Sequence, residues 1–339
     1  MYLSILIPAL VAFITTYLAT PYLIRMLKLE GIVGRDLMKK NKPEVPEMGA
    51  PSVLAGFIIG IFLYIGAQTF FIKSLNPVQL SQLLAAISTI MIITFIGTID
   101  VLTHLMDEKE GSKGIEKHKK KGIGRLTHFV LPLPAAVPMM AISVGITTMA
   151  LPFLGTIDLG LIYPLVLVPL AILGASNATN MLAGFNGMQA GIGIVMSLFL
   201  GVFAYINGSV VAALIAFIFA ASLLAFLIYN WYPAKIFPGG LDYLVGTVIA
   251  IIAIVGNIEK FALFCFVPWF VELVLKLRSR FDAENFGILQ KDGTLKAPYK
   301  KSYSLTHIVM KLGRFKEWQV SLIIIASIAL WCLIGWVIF

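Results

Sequence analysis

The amino-acid sequence predicts an all-α, polytopic integral membrane protein with about ten transmembrane helices, both termini outside, and its active face on the cytoplasmic side. Three observations carry that reading. Of the 339 residues, 59% are hydrophobic and only 13% are charged, with a mean hydropathy of +0.93; no water-soluble domain needs that much apolar surface. Long unbroken apolar runs recur, each close to the roughly 20 residues that carry a helix across the hydrocarbon core, and they lack the alternation of a membrane barrel. The basic residues are also one-sided. Of 26 Lys and Arg, only Lys73 and Lys260 fall in loops after even-numbered spans, so the loops after odd-numbered spans face the cytoplasm by the positive-inside rule.

The expected spans are residues 3–25, 52–72, 84–105, 128–150, 159–180, 187–206, 208–230, 241–257, 259–277 and 320–339. The chain reads as one transmembrane domain, 1–339, with cytoplasmic loops at about 26–51, 106–127, 181–186, 231–240 and 278–318. The first span is read as a retained helix, since no small-residue cleavage pattern follows it. Cys265 and Cys332 both sit in apolar runs and read as packing residues, neither disulfide-bonded nor metal-bound. The net charge of +9 is first a topology signal. It also suits an anionic headgroup or a phosphorylated substrate, and gives no reason to invoke nucleic acid.

Taken in order, the first loop carries Arg35, Lys39, Lys40 and Lys42, then Pro46-Glu47-Met48-Gly49. The charge run alone is an ordinary solvated loop, but the return through Gly49-Ala50-Pro51 suggests a packed connection. The third span ends in Thr98-Ile99-Asp100-Val101, and an acid at that depth is costly unless it is paired or metal-bound. The second cytoplasmic loop holds Lys119-Lys120-Lys121, a cluster that attracts anionic headgroups. The fourth span opens at His128 and contains Pro132, Pro134 and Pro138, which should kink it and free backbone carbonyls.

The fifth span delivers the least ordinary stretch, Ser176-Asn177-Ala178-Thr179-Asn180-Met181-Leu182-Ala183-Gly184-Phe185-Asn186-Gly187. Amides are costly in hydrocarbon unless they are bonded. Asn177 and Asn180 share a helical face by their spacing, and Gly184 and Gly187 let the backbone turn. A plain helix cap is the competing explanation. The seventh span leads to Phe237-Pro238-Gly239-Gly240, where free amides at a helix start make an anion cradle, and Asp242 falls in the first turn that follows. In the last loop, Tyr303 to Leu312 is amphipathic and suited to the membrane surface. Carboxylates and amide oxygens gathered at cytoplasmic helix ends suit Mg²⁺, with Mn²⁺ as an alternative, and a phosphate-bearing substrate.

These motifs resemble the polyprenyl-phosphate N-acetylhexosamine-1-phosphate transferases, closest to the archaeal and eukaryotic branch. The resemblance rests on Asn177 through Gly187, on Asn230-Trp231-Tyr232-Pro233 with Pro238-Gly239, on Ser304-Leu305-Thr306-His307, and on Pro46-Glu47-Met48-Gly49. It implies transfer of GlcNAc-1-phosphate from UDP-GlcNAc to a dolichyl or other polyprenyl phosphate. The products are polyprenyl-diphosphate-GlcNAc and UMP, the first step of lipid-linked glycan assembly and commonly of N-glycosylation. It further implies a multi-pass protein of the cell or endoplasmic reticulum membrane, commonly homodimeric.

By resemblance, Asn180 is a metal ligand, Asn186 and Phe237 lie near the uracil, and Glu47 belongs to the substrate-facing first loop. Asn177, Gly239 and His307 join them as expected substrate contacts. The chain departs from the family at three positions. It has Ile99-Asp100 in place of paired aspartates, His128 in place of a phosphate-contacting Lys, and Gly239-Gly240 in place of Gly-Asp. The expected active set is therefore shifted: Asp100 and His128 as catalytic groups, Asn180 and Asp242 as metal ligands. A nucleotide-sugar or polyprenyl-phosphate binder without catalysis, and a lipid-linked sugar transporter, are the alternatives.

Overall fold

The structure, a computed structural model, describes residues 2–112, 125–143, 148–151 and 155–339. The helices are α1 (Tyr2–Leu29), α2 (Ala50–Gly66), α3 (Pro77–Ser112), α4 (Arg125–Val130), α5 (Val137–Ile142), α6 (Val168–Met181) and α7 (Met188–Ile206). They continue as α8 (Val210–Asn230), α9 (Leu241–Gly256), α10 (Glu259–Cys265), α11 (Val267–Leu277), α12 (Leu305–Leu312) and α13 (Glu317–Ile338). Among the described residues, seven helical segments are long and apolar enough to cross a membrane: Ser4–Leu29, Ala50–Ile72, Pro77–Thr103, Tyr163–Met181, Met188–Ile206, Val210–Asn230 and Glu317–Ile338. This is a multi-pass membrane protein.

Three expected spans come out differently. Residues 128–150 are not one helix: α4, a 3₁₀ turn at Leu133–Ala136 and α5 follow one another in short pieces, and strand β3 (Thr148–Leu151) comes after. Pro132, Pro134 and Pro138 account for the breaks, since each lacks an N–H for the ladder and crowds the preceding turn. The 259–277 run divides at Phe266 into α10 and α11, with Pro268 at the start of the second piece. The 241–257 run forms only the short apolar helix α9, which is buried continuously from Tyr243 to Val255. A helix that is apolar on every face belongs in the middle of a bundle, and α9 sits there, packed by α3, α6, α7 and α8.

The all-helical expectation is also interrupted by three small antiparallel hairpins. In the first loop β1 (Val33–Arg35) pairs with β2 (Glu44–Pro46), Gly34 opposite Val45. β3 pairs with β4 (Gly155–Asp158), and in the last loop β5 (Ile288–Leu289) pairs with β6 (Leu295–Lys296). The first hairpin bears on the site. Its exit strand is pinned to the 237–239 turn by Phe237 N–H to Pro46 O (2.8 Å) and Gly49 N–H to Phe237 O (3.0 Å). The packed connection expected from Gly49-Ala50-Pro51 is thus present.

Candidate functional site

The site is built where α6 and α9 touch. A Cβ added at Gly246 would lie 2.1 Å from the Ala175 carbonyl oxygen and 2.5 Å from Thr179 Oγ1, so only glycine lets the two backbones approach this closely. Thr179 Oγ1 then donates to the Asp242 carbonyl at 2.5 Å, which ties the last turn of α6 to the first turn of α9. Asn180 follows Thr179 directly in the last turn of α6. Helix α3 meets the same turn. A Cβ on Gly97 would fall 2.9 Å from Gly240 Cα, and Gly240 takes a left-handed φ of 78° that disfavours any side chain. One turn further along α3, Asp100 reaches the neighbourhood of α9.

The geometry therefore puts Asn180 at the end of α6, Asp242 in the first turn of α9, and Asp100 one turn along α3 from the Gly97–Gly240 contact. Among the described residues, no three His, Cys, Asp or Glu side chains gather where they could hold a metal ion. Asp100, Asn180 and Asp242 offer two carboxylates and one amide oxygen. That is compatible with a hard divalent cation, which commonly keeps several waters and takes substrate phosphate oxygens as further ligands.

Asn177 lies one turn before Asn180 on α6. Its Nδ2 donates to the Phe129 carbonyl (2.9 Å) and the Leu173 carbonyl (2.8 Å), so it anchors the freed backbone of α4 to α6. His128 is on α4, but its side chain lies outside the described residues, as do residues 113–124 with Lys119, Lys120 and Lys121.

A second layer comes from the first hairpin. A Cβ on Gly34 would meet Glu47 Oε2 at 2.4 Å and the Phe237 ring at 3.4 Å, and one on Gly239 would meet the Met48 backbone N at 2.5 Å. Glu47, Phe237 and Gly239 are therefore assembled around the hairpin. Asn186 joins from the Asn-rich stretch: its Nδ2 donates to Asp36 Oδ2 at 3.1 Å, its backbone N–H to Glu317 Oε1 at 3.0 Å, and its carbonyl accepts from Ser321 Oγ at 3.0 Å. Lys39 bridges Asp36 (3.2 Å) and Glu317 and lies over the Tyr232 ring, 4.1 Å from its centroid. Gly184 and Gly187 take φ of +108° and +74°, the turn expected of them.

The third layer is the last cytoplasmic segment. Asn285 Nδ2 donates to the carbonyls of Met181 (2.8 Å) and Ala183 (2.9 Å), the backbone just beyond α6. A cavity of about 330 Å³ opens there, lined by Asn180, Met181, Gly184, Lys276, Asn285 and Phe286 among others. Buried Glu272 accepts from Leu305 N–H (2.7 Å) and Ser304 Oγ (3.2 Å), which fixes the start of α12. His307 is fully buried. Its Nδ1 accepts from Tyr303 N–H at 3.2 Å, and its ring packs 5.4 Å from that of Tyr299. In this conformation it shapes the last segment from inside and does not face the cavity opening.

Burial pushes the His307 imidazole down from its ordinary 6.5 to about 4. The sign follows from linkage. Above pH 6.5 folded and unfolded chains both hold a neutral ring. Between 6.5 and 4 only the unfolded chain takes the proton, so stability falls as pH falls, by at most about 1.4 kcal/mol per pH unit. His307→Asn, in thermal unfolding of the detergent-solubilised protein, is expected to show a shallower loss of Tm from pH 6.5 to 4 than the parent. An identical slope would remove His307 from the acid response.

Similarity to known proteins bears on this geometry. Residues 83–257, the stretch from α3 through α9 that carries Asp100, Asn180 and Asp242, match the family described as Glycosyl transferase family 4. The chain belongs to that family. It is 37% identical to a Saccharolobus solfataricus protein assigned as a UDP-N-acetylglucosamine–dolichyl-phosphate N-acetylglucosaminephosphotransferase, over 98% of this chain and 96% of the relative. A Sulfolobus acidocaldarius protein with the same assignment is 34% identical over 95% of this chain and 92% of its own length. A phospho-N-acetylmuramoyl-pentapeptide-transferase of Streptococcus equi subsp. zooepidemicus is 32% identical over 75% and 73%.

Sequence reasoning missed several residues of this candidate site. Thr179 was legible only as one more polar residue of the Asn-rich run, and Asp36, Lys39, Glu317 and Lys276 read as loop or helix-end charges. The partners of Asp36 and Lys39 lie far away in sequence, 150 residues for Asp36 and Asn186 and 278 for Lys39 and Glu317. The lone acid opening the last apolar run was the one available signal.

Proposed function

We propose that this family 4 enzyme transfers GlcNAc-1-phosphate from UDP-GlcNAc to a dolichyl or related polyprenyl phosphate, yielding polyprenyl-diphosphate-GlcNAc and UMP. The observation that carries the reading is the Thr179–Asp242 contact. It ties the end of α6 that carries Asn180 to the first turn of α9 that carries Asp242, in a chain similar over nearly its whole length to proteins assigned that activity. Asp100, Asn180 and Asp242 would hold Mg²⁺, whose contribution when bound is charge neutralisation on the diphosphate. The chain's own residues position the reactants, which is most of what phosphoryl transfer asks of a protein. His128 is the proposed contact to phosphate, and Glu47, Phe237, Gly239 and Asn186 frame the nucleotide. Asn177 and His307 support that frame from behind by the bonds described above.

The site faces the cytoplasm on this reading, because the basic loops surround it. Ten crossings with both termini outside belong to the same reading, and they require the short apolar segments Leu133–Ile142 and Leu241–Gly256 and the α10–α11 pair to lie within the membrane beside the seven long helices. The test is release of UMP from UDP-GlcNAc by purified protein with a polyprenyl phosphate. Release should require added Mg²⁺ or Mn²⁺ and stop on chelation with EDTA. Release no faster than in a protein-free control would overturn the assignment.

A further inference from the structure

We propose that the end of the bundle opposite the candidate site holds a second site, a seat for a lipid phosphate bound by Lys260. Helix α9 leaves the candidate site at Leu241 and reaches Gly256 after 16 residues, roughly 24 Å away at the rise of an α-helix. A cavity of about 400 Å³ opens there between the ends of α7 and α9 and the start of α10. Phe203, Asn207, Asn257, Glu259, Lys260 and Phe261 are among its walls. The sequence already sets Lys260 apart. It is one of only two basic residues in the loops after even-numbered spans, the side that basic residues otherwise avoid. Lys260 is half-buried and makes no hydrogen bond or ion pair among the described residues. Its neighbour Glu259 accepts from the Tyr163 hydroxyl. Tyr163 is buried and no part of the cavity wall, so that acid is committed elsewhere.

The order of side chains on the walls points to a lipid and not a free anion. Helix α10 runs back into the bundle antiparallel to α13. A Cβ on Gly335 would lie 2.9 Å from the Phe261 ring, and four residues earlier on α13 Trp331 Nε1 donates to the Phe264 carbonyl at 2.7 Å. Leu263, three residues after Lys260 and so on its face, is therefore deeper in the bundle, and it is exposed. On the opposite wall exposed Ile206 precedes Asn207 at the end of α7. The Phe203 and Phe261 rings stack with centroids 4.2 Å apart. Both walls are thus polar at the rim and apolar below, which is the order of a phosphate above its chain. The Lys260 ammonium offers charge-assisted donors to that phosphate. The Asn257 amide stands at the rim on the left-handed cap of α9, at φ 49°, with no side-chain hydrogen bond among the described residues. A bilayer phospholipid and a polyprenyl phosphate share this chemistry, a phosphate ester on an apolar chain. The seat stands without the nucleotide-sugar reading above.

The test is native mass spectrometry of the delipidated, detergent-solubilised protein titrated with phosphatidylglycerol, which gives a Kd for the first lipid bound. Lys260→Gln should weaken that binding about tenfold, the scale of one charge-assisted hydrogen bond. Lys260→Arg should preserve it. Lys73→Gln, which removes the exposed cation on the same side, should leave it unchanged. On the parent protein, a diacylglycerol with the same chains and inorganic phosphate should each bind at least about tenfold more weakly than phosphatidylglycerol, since each offers one half of the ligand. These two comparisons report even where K260Q is not recovered folded. Displacement of phosphatidylglycerol by a polyprenyl phosphate supports the seat and assigns it to the carrier lipid; failure to displace supports it as a phospholipid seat. Equal affinity of parent and folded K260Q, an equal loss in K73Q, or parental affinity for diacylglycerol or inorganic phosphate equal to that for phosphatidylglycerol overturns the proposal.

Discussion

Asn180→Ala is expected to lower the turnover rate of UMP release about a hundredfold or more at saturating UDP-GlcNAc and polyprenyl phosphate, with the protein still folded. Removing a single preorganised group that stabilises transition-state charge costs on that scale, and a three-donor site with only two carboxylates has none to spare. Asn180 sits at the end of α6, held there by the Thr179 hydroxyl on the Asp242 carbonyl and by Asn285 on the carbonyl of the next residue, Met181. Its position therefore does not depend on its own side chain, and alanine should leave the backbone in place. Asp242→Asn should fall by a similar factor, because it keeps shape and removes charge. Initial rates in parallel with Tm check both. A folded Asn180→Ala protein at full rate would end the assignment of this residue to the site.

The largest expected effect on stability comes from Gly246→Ala. The added methyl would meet the Ala175 carbonyl oxygen at 2.1 Å, and a backbone atom within a helix cannot swing aside as a side-chain tip can. Helices α6 and α9 would have to separate, with a loss of more than about 3 kcal/mol by the scale of overpacked cores. The same separation would pull Thr179 from Asp242, so activity and Tm should fall together. Gly174→Ala is the matched control on α6. Nothing lies within 4 Å of a Cβ at that position, and exchanging a helical glycine for alanine is neutral or mildly stabilising. Equal Tm values for the two variants would contradict the close α6–α9 approach.

The most legible part of this site in the sequence was the Asn-rich stretch, because its signal is local. Costly amides beside apolar runs, with glycines where the backbone must turn, can be read within a dozen residues, and Gly184 and Gly187 do take left-handed φ values. The proline-laden run after His128 was read as a kinked span and is broken outright; three prolines remove more of the ladder than one kink absorbs. The charged hairpin cluster was not legible at all. Asp36 in a basic loop looks like a solvated acid, and nothing nearby in the chain shows that it is buried against Asn186. Lys39 likewise looks like one of several loop cations, yet it closes the gap to the first turn of α13.

The sequence by itself determined the membrane class, the apolar segments, the distribution of basic loops and the identity of the amide-rich turn, because composition, periodicity and short-range spacing act locally along the chain. The tertiary structure alone decided that α9 is the buried centre of the bundle and that Gly246 lets α6 lie against it. It also decided that the last turn of α6, with Asn180, is tied to the first turn of α9, with Asp242, and which way the Asn186 amide faces. Those outcomes depend on contacts between backbones and charges that are distant in sequence, and their energies exist only once the helices are packed.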